Sequence, residues 1–405
     1  MYAFLKEHFD ARMAALTFAL LLIGIVSVYS ATYDAKASDI FTKQLLWVAV
    51  GVAAFTIVMF TPYRMLSLLA WPSYFLSIFL LVSVLVMGHT VSSSTSWFKL
   101  GEMRLQPAEF AKVTTVLALG MYLSRSDVTL KKFRYLATAS AIVAGPMFLV
   151  LVQPDIGTAL VFGVMYLPVL YWAGASRFTL VAIVAPLAAA FAALFGTTPF
   201  LIVVVIAGVL LYVTKENRIV ASVMFSLTVL LGVSVQFIYE RLKPYQQKRI
   251  STFLDPGADP LGAGYNILQS KVAIGSGGFL GKGYLHGTQT QLNFIPAQWT
   301  DFIFSVPGEE FGFIGAATVL LLLMALLMRG ITISATVKNP FGSFVGIGLT
   351  AILATHIAIN IGMALGLLPV IGVPLPFLSY GGSALLSTMI MTGLFMNLYS
   401  NRKEY

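Results

Sequence analysis

Two pairs of ionisable residues stand out against an otherwise apolar sequence. In the first pair, Glu109 and Lys112 lie three positions apart in the run Gln106-Pro-Ala-Glu-Phe-Ala-Lys112, a spacing that puts both side chains on one face of a helix. A charge at mid-membrane costs about 2.5–3.5 kcal/mol on insertion scales, so such charges face an interior and pair. Two compatible interpretations remain: a salt bridge that fixes this helix to its neighbours, or a pair that lines a hydrated cavity for substrate.

Two aspartates in a long polar loop form the second pair. Asp255 and Asp259 are each followed by Pro in a short string after Arg249. Asp-Pro is common turn chemistry, so a turn is the first interpretation of each. The functional interpretation is that a carboxylate among Lys248, Arg249 and Lys271 stays ionised and accepts a proton at neutral pH.

That loop, from Tyr239 to Thr300, separates two apolar halves of the chain and holds six cations against three acids. It is too rich in Tyr, Phe, Ile and Leu to be a solvated tether, and long loops in compact proteins are usually functional or disordered. A cationic, partly folded cap with a few carboxylates suits a polar reaction on an anionic, membrane-borne substrate. The loop is therefore the predicted location of the function.

The composition bounds the class of protein. Hydrophobic residues make up 58% of the 405 and charged residues only 10%, whereas soluble domains carry about 25% charged residues. The sequence therefore predicts an all-α polytopic membrane protein. Cysteine is absent, which excludes disulfides, thiolate metal sites and cysteine nucleophiles. Four scattered His residues do not favour a zinc site, and topology explains most of the net charge of +9 without nucleic acid as a partner.

Twelve apolar stretches are predicted to cross the bilayer as helices, since about 17–25 apolar residues suffice for a span. They are residues 14–31, 43–61, 65–88, 107–124, 135–153, 157–173, 178–195, 198–214, 219–238, 302–328, 343–366 and 377–399. With the N-terminus inside, the cytoplasmic segments collect 14 of the 25 Lys and Arg residues and the short outer loops four. This bias predicts that both termini are cytoplasmic and that the large loop, residues 239–301, lies outside, because long loops translocate largely regardless of charge.

Two further strings carry polar groups. Asp155, in Gln153-Pro-Asp-Ile-Gly-Thr158, is either a helix cap or part of the lining of the same cavity. Lys282 lies in the glycine-rich run from Gly275 to Gly283. The run departs from the phosphate-loop pattern because Ser276 holds the place of the first Gly and Gly283 stands where Ser or Thr is needed. A plain hairpin turn is the default there, and an anion site formed by Lys282 and backbone amides is the alternative.

Two segments at the outer ends of the last spans complete the candidates. Glu309 and Glu310, near the start of the tenth span, are interpreted as the polar rim of a cavity. The link from Pro369 to Ser383 contains three Pro and three Gly. Irregular backbone at that depth usually lines a cavity, so Ser379 and Ser383 are counted as cavity residues.

Taken together, these strings resemble the SEDS family of cell-wall polymerases, and its RodA branch more closely than its FtsW branch. The matching segments run in order along the chain: 97–101, 106–112, 153–158, 249–265, 275–283, 286–289, 299–304, 308–310 and 374–383. RodA-like proteins usually have ten spans. The resemblance therefore implies a single membrane domain, residues 1–405, that carries an extra helix pair at 176–217.

The resemblance implies a peptidoglycan glycosyltransferase that polymerises lipid II into glycan strands during cell elongation. It would act on the outer face of the bacterial cytoplasmic (inner) membrane. The family's essential carboxylate falls on Asp259, expected to act as general base on the acceptor hydroxyl. The displacement passes through an oxocarbenium-like state, and cations can absorb the charge of the pyrophosphate leaving group. The candidate cations are Lys248, Arg249, Lys271 and Lys282.

Glu109 and Lys112 would shape the central cavity of such an enzyme. No cofactor is certain: a divalent cation could share the work of the basic residues, but the sequence shows no ligand set for one. The implied partners are a class B penicillin-binding protein that supplies crosslinking and the elongation machinery of MreC, MreD and MreB. Two other classes stay open, a flippase for a lipid-linked precursor with the loop as its lid, and a scaffold that recruits a transpeptidase.

Overall fold

The computed structural model describes residues 8–34, 38–91, 94–100, 103–214, 217–242, 247, 264–296 and 298–403. Their contacts divide the chain into two compact units, Met1–Val169 with Tyr265–Tyr405, and Leu170–Gly264. The first unit contains every described residue that the sequence singles out for chemistry. The expectation of one domain over the whole chain stays a prediction.

The described residues are mostly helical, as predicted. In chain order the helices are α1 Ala11–Tyr33, α2 Ser38–Phe60, α3 Tyr63–Met87, α4 Pro107–Leu123, α5 Phe133–Val152, α6 Ile156–Trp172, α7 Arg177–Ala193, α8 Thr197–Thr214, α9 Arg218–Arg241, α10 Tyr265–Ser276, α11 Thr288–Gln291, α12 Ser305–Glu310, α13 Gly312–Thr336, α14 Pro340–Ala364 and α15 Gly382–Ser400. Eleven of the twelve predicted spans each coincide with one of these helices, and the tenth covers α12 and the first part of α13. Within the described ranges, eight helices are long and apolar enough to cross a membrane, and α6 and α7 are shorter apolar helices. The number of twelve spans stays a prediction.

Two predicted spans begin later in the structure than the sequence suggests. The tenth is divided at Gly312, whose φ of 60° is left-handed and separates α12 from α13. The last begins at Gly382 rather than at residue 377, because backbone groups before Gly382 make hydrogen bonds to other segments instead of within the helix. The amide of Tyr380, for example, donates to the carbonyl of Trp299 at 2.7 Å.

A small antiparallel sheet between α3 and α4 is absent from the predicted spans. Its strands are β1 His89–Val91, β2 Ser94–Leu100 and β3 Met103–Leu105, in the order β1-β2-β3. The strands are short and join two long apolar stretches, so the hydropathy pattern does not reveal them. They bring the chain directly to the start of α4.

The helices α4 and α14 form the centre of the first unit, and nearly all of their residues are buried. Glycine makes their close packing possible. A Cβ on Gly348 would lie 2.6 Å from a methyl group of Val116, and one on Gly120 would lie 2.8 Å from Val345. Small residues at helix contacts are the usual means of close approach in membranes.

Among its described residues, the second unit contains α7, α8 and α9. The extra pair expected at 176–217 corresponds to α7 and α8, and both pack against α9. Ser176 caps α7 through the amide of Thr179, and Asn217 caps α9. Phe178, Leu211 and Ala221 form the buried core of this unit.

A buried ion pair joins α1 to α13 at the end where α1 begins. Asp10 caps α1 by accepting from the amides of Arg12 and Met13, and its other oxygen accepts from Nε of Arg329 at 2.6 Å. Asp10 is 2% exposed. A buried charge that loses its partner costs far more than a solvated one.

We predict that Arg329→Gln destabilises the protein by about 3 kcal/mol, because it leaves the Asp10 carboxylate buried without its cation. The midpoint of thermal unfolding in detergent should fall by several degrees. Arg125→Gln is the matched control, since its pair with Asp127 is more than half exposed on both sides and is worth about 0–1 kcal/mol. Equal midpoints for the two variants would contradict the role given to the buried pair.

Candidate active site at the start of α4

Glu109, Lys112 and His356 form a buried polar network between α4 and α14. The ammonium of Lys112 lies 2.8 Å from Oε1 of Glu109 and 2.7 Å from Nε2 of His356. Glu109 is 3% and Lys112 1% exposed. The salt bridge that the three-residue spacing predicts is therefore present, and it is almost completely removed from solvent.

The same contacts fix the tautomer of His356. A lysine ammonium has no acceptor, so Nε2 must accept the hydrogen bond from Lys112. The other ring nitrogen, Nδ1, lies 3.1 Å from the carbonyl of Pro374 and must carry the hydrogen that it donates there. The imidazole is thus neutral, and it links the α4 cation to the loop between α14 and α15. Beside it lies a small cavity lined by His356, residues 374–377 and the start of α15.

Hydrogen bonds tie the start of α4 to two neighbouring turns. The amide of Gln106 donates to Oγ of Ser383 at 2.9 Å, and its side chain donates to Asp155 at 2.8 Å. Asp155 also accepts from the amide and hydroxyl of Thr158, so it caps α6 as one of its two interpretations expects. Ser387 donates to the carbonyl of Glu109 at 3.0 Å. Together with the contact between Lys112 and His356, these bonds show that α4, α6, α14 and α15 meet at this point.

The irregular link from Pro369 to Ser383 lies against these helices. Ser379 donates to the carbonyl of Thr300 at 2.6 Å and accepts from the amide of Leu375 at 2.8 Å, so its hydroxyl holds the turn. The link approaches α6 closely: a Cβ on Gly157 would lie 2.3 Å from the carbonyl oxygen of Ile371. Ser379 and Ser383 are both buried, at the place where the sequence expects cavity residues.

A second polar centre surrounds Glu309, which is completely buried. Its carboxylate accepts from the ammonium of Lys282 at 2.7 Å and from the backbone amides of Gln289 and Thr290 at 2.8 and 2.9 Å. The hydroxyl of Thr290 donates to it as well. Lys282 is therefore committed to an internal ion pair, and Glu309 organises the segment around α11 rather than forming an open rim.

Glu310 lies in a different environment from its neighbour. It is 1% exposed and accepts from the hydroxyl of Ser30 on α1 and from the side-chain amide of Gln291. Burial raises the pKa of Glu310, against which these two hydrogen bonds act. For Glu309, burial also raises the pKa, but the bonds from Lys282, Gln289 and Thr290 outweigh it, and the pKa of Glu309 is lowered.

The other sequence-predicted residues are separated from these centres or lie outside the described residues. Lys271, on α10, reaches the end of α14, where a Cβ on Gly366 would lie 2.7 Å from its ammonium. A cation is favourable at the carboxyl end of a helix. Lys248, Arg249, Asp255 and Asp259 lie outside the described residues. Across the described ranges, no group of three His, Asp or Glu residues is placed to hold a metal ion.

Several residues of the site carry no signal in the sequence. His356 and Ser387 sit in long apolar helices, where an isolated polar residue predicts little. Ser30 and Gln291 lie far apart in the sequence, and only the fold brings them into hydrogen bonds with each other and with Glu310. The sequence reveals the glycine-rich run and the Gln-Pro-Ala-Glu segment as motifs. It does not reveal which residues those motifs contact.

An apolar groove of about 380 Å³ runs between α1 and α13 in the first unit. Leu22, Val26 and Ser27 line it on α1, and Ile314 and Thr318 on α13. On one side of the groove along α1, the pair of Asp10 with Arg329 ties α1 to α13. On the other side, the bond between Ser30 and Glu310 ties α1 to α12. The groove therefore lies between two polar contacts, and its apolar lining suits an apolar chain.

The model of the family named Cell cycle protein, which covers FtsW, RodA and SpoVE, matches residues 11–200 and 195–404. The chain belongs to this family. Peptidoglycan glycosyltransferase MrdB of Escherichia coli (strain K12) is 35% identical over 98% of this chain and 95% of its own. Peptidoglycan glycosyltransferase RodA of Treponema pallidum (strain Nichols) is 33% identical over 97% of this chain and 98% of its own.

Solved structures share this fold over nearly the whole chain. A chain of a peptidoglycan synthase complex that coordinates polymerization and crosslinking superimposes with a TM-score of 0.75 at 27% identity, over 98% of this chain and 99% of its own. The crystal structure of the rod shape determining protein RodA of Thermus thermophilus superimposes with a TM-score of 0.65 at 24% identity, over 98% of both chains. The predicted family and the helical membrane fold are confirmed.

We predict that Glu109→Gln and Lys112→Met each destabilise the protein by about 3–5 kcal/mol, because each leaves an uncompensated polar or charged partner buried. The double variant should regain most of that loss, since it removes both charges. Thermal unfolding in detergent measures all three. Ser387→Ala is the control: it removes one hydrogen bond to Glu109 and should cost about 1 kcal/mol. A double variant as unstable as the sum of the singles would contradict a direct pairing.

We predict opposite pH dependence for Glu309→Gln and Glu310→Gln. The lowered pKa of Glu309 contributes stability above its ordinary value of 4.5 that is lost as the pH falls through the folded-state value. The cost of Glu309→Gln should therefore shrink on acidification below 4.5. The raised pKa of Glu310 contributes stability that is lost as the pH rises above 4.5, so Glu310→Gln should become relatively more stable from pH 4.5 towards 8. Unfolding midpoints measured from below pH 4.5 up to pH 8 test both signs, and parallel curves would contradict them.

Proposed function

We propose that this protein polymerises lipid II into glycan strands on the outer face of the cytoplasmic membrane during cell elongation, with Asp259 as general base. The enzyme class itself, peptidoglycan glycosyltransferase, follows from relatives at 33–35% identity over nearly the whole chain. That identity is the observation on which the function rests. The substrate, the side of the membrane and the identity of the base are proposals.

The described residues support a reaction at the start of α4. Gln106, Asp155, Ser383 and the network of Lys112 fix the meeting point of α4, α6, α14 and α15. Under the predicted orientation this end of the first unit faces outward. The groove between α1 and α13 is one place where an apolar chain such as a prenyl tail could lie, since ligand sites of about 300–1,000 Å³ are mostly apolar with few polar groups.

The proposed reaction is a displacement at the anomeric carbon of the donor sugar. The acceptor hydroxyl attacks that carbon and loses its proton to the carboxylate of Asp259, and the bond to the diphosphate breaks with its electron pair on the leaving oxygen. Charge builds up on the diphosphate as the sugar becomes oxocarbenium-like. Fixed cations lower the barrier by stabilising that charge.

Lys112 and Glu109 would act on this reaction through position rather than contact. Both are buried, and their bonds are made to His356 and to each other. Their role would be to fix the position of α4 relative to α14 next to the proposed substrate site. A class B penicillin-binding protein is the proposed partner, supported by the similarity to a chain from a synthase complex, and the elongation proteins MreC, MreD and MreB are proposed on the family resemblance.

We predict that the purified protein, together with its class B partner, converts fluorescent lipid II into long glycan strands, and that Asp259→Ala abolishes this product. Asp255→Ala is the matched control: it removes the neighbouring Asp-Pro carboxylate and should leave the strands. Gel analysis of the polymer gives the readout. Normal expression and partner binding of Asp259→Ala must be shown alongside.

The competing classes give different results. A flippase predicts no polymer from any variant in a well-folded complex. A flippase activity in addition to the polymerase predicts that Glu109→Ala abolishes translocation while polymerisation persists. A scaffold predicts that Asp259→Ala still supports growth.

A further inference from the structure

Two cations stand directly opposite each other on the hairpin that precedes α4. In the antiparallel pairing of β2 with β3, Lys99 is the partner of Arg104. Directly opposed residues project from the same face of a sheet, and like charges in that position repel each other. Both side chains are exposed. The hairpin thus keeps an unfavourable pair where a neutral or acidic residue would be more stable.

The ion pairs among the described residues do not relieve this repulsion. They join Glu109 with Lys112, Asp127 with Arg125, Glu309 with Lys282 and Asp10 with Arg329, and none includes Lys99 or Arg104. An anion that binds between the two cations would turn their repulsion into attraction. A diphosphate is suited to this place, because a guanidinium can bind two phosphate oxygens and an ammonium acts as a point charge.

A third cation lies close to the same place. Lys43 and Trp47 are one turn apart on α2, and so share a face. Trp47 packs on the first residue of α15, where a Cβ on Gly382 would lie 2.0 Å from its ring. Lys43 is therefore positioned near Tyr380. Burial raises the pKa of Tyr380, and the positive charges of Lys43 and Arg104 both act against that rise.

The hairpin is joined to the candidate site by a hydrogen bond. Ser383 donates to the carbonyl of Arg104 at 3.3 Å and accepts from the amide of Gln106 at 2.9 Å. Two residues after Arg104, the chain enters α4. Lys99, Arg104 and Lys43 therefore border the point where α4, α6, α14 and α15 meet, whereas Lys282 is occupied by Glu309 and Lys271 lies at the end of α14.

We propose that Lys99 and Arg104, with Lys43 beside them, form the subsite that binds the diphosphate of the lipid-linked substrate. The inference rests on the proposed function for the identity of the substrate, and it deepens that function by naming the cations that hold its leaving group. The opposed pair orients the diphosphate between β2 and β3. Its charge, which grows as the sugar bond breaks, is neutralised there.

The decisive variant is Lys99→Glu, because the two roles predict different affinities for the diphosphate. If the residue served only the hairpin, an acid opposite Arg104 would improve the structure and leave substrate affinity unchanged. If the pair binds the diphosphate, Lys99→Glu should keep or raise the unfolding midpoint and weaken diphosphate binding by at least about tenfold. The reason is that the variant replaces an attraction to the diphosphate by a repulsion, and a tenfold loss requires only about 1.4 kcal/mol. Lys99→Arg should retain binding.

The probe is undecaprenyl diphosphate in phosphatidylcholine nanodiscs, with undecaprenol as the uncharged comparison. Wild type should prefer the diphosphate, and Lys99→Glu and Arg104→Gln should lose that preference. Lys131→Gln, which removes an exposed cation between α4 and α5, is the matched control and should bind like wild type. In polymerisation assays, Lys99→Gln should raise KM for lipid II, and Arg104→Gln should also lower kcat.

Three results would overturn the subsite. One is unchanged diphosphate affinity in Lys99→Glu. Another is an equal loss of undecaprenol binding, which would indicate a general disturbance. The third is an effect that appears only when phosphatidylglycerol is added, which would assign the pair to phospholipid headgroups. Binding needs no turnover, so a wild type that binds the diphosphate but makes no polymer would overturn the proposed function and leave the subsite standing.

Discussion

A buried ammonium must have its charge paired and its hydrogen bonds made, and the arrangement around Lys112 follows from this requirement. The cation lies in the centre of the first unit, 1% exposed, where an unpaired charge would cost several kcal/mol. Glu109 supplies the anion and His356 a neutral acceptor. His356 in turn donates to Pro374, so the link between α14 and α15 is fixed by the same network. The position of the link between α14 and α15 therefore depends on the buried charge of Lys112.

The two acidic neighbours Glu309 and Glu310 show how local geometry separates the roles of identical side chains. Glu309 faces two backbone amides and Lys282, and it is held as a carboxylate. Glu310 faces the hydroxyl of Ser30 and the side-chain amide of Gln291, and burial there favours the protonated form. One organises the loop segment around α11, and the other attaches that segment to α1. Their adjacency in sequence conceals this difference completely.

The cations of the site illustrate a similar division between structure and function. The basic character of the large loop makes Lys282 and Lys271 candidates for binding the substrate. In the structure, Lys282 forms an ion pair with Glu309, and Lys271 lies at the end of α14. Lys99 and Arg104, which the sequence shows only as loop charges, are brought face to face by the β2–β3 register. Repulsion that a fold retains is more informative about an anionic ligand than a cation already paired.

Composition, three-residue spacing and contiguous strings are local properties, and they were enough to predict the membrane class, the positions of most helices, the pairing of Glu109 with Lys112 and the family. That His356 completes the pair and that α15 begins at Gly382 depends on which distant segments meet, through hydrogen bonds and packing that no local pattern records. That Lys99 opposes Arg104 depends on the register of the β2–β3 hairpin, which the hydropathy pattern does not reveal. Asp259, which the resemblance puts first, stays a prediction because it lies outside the described residues.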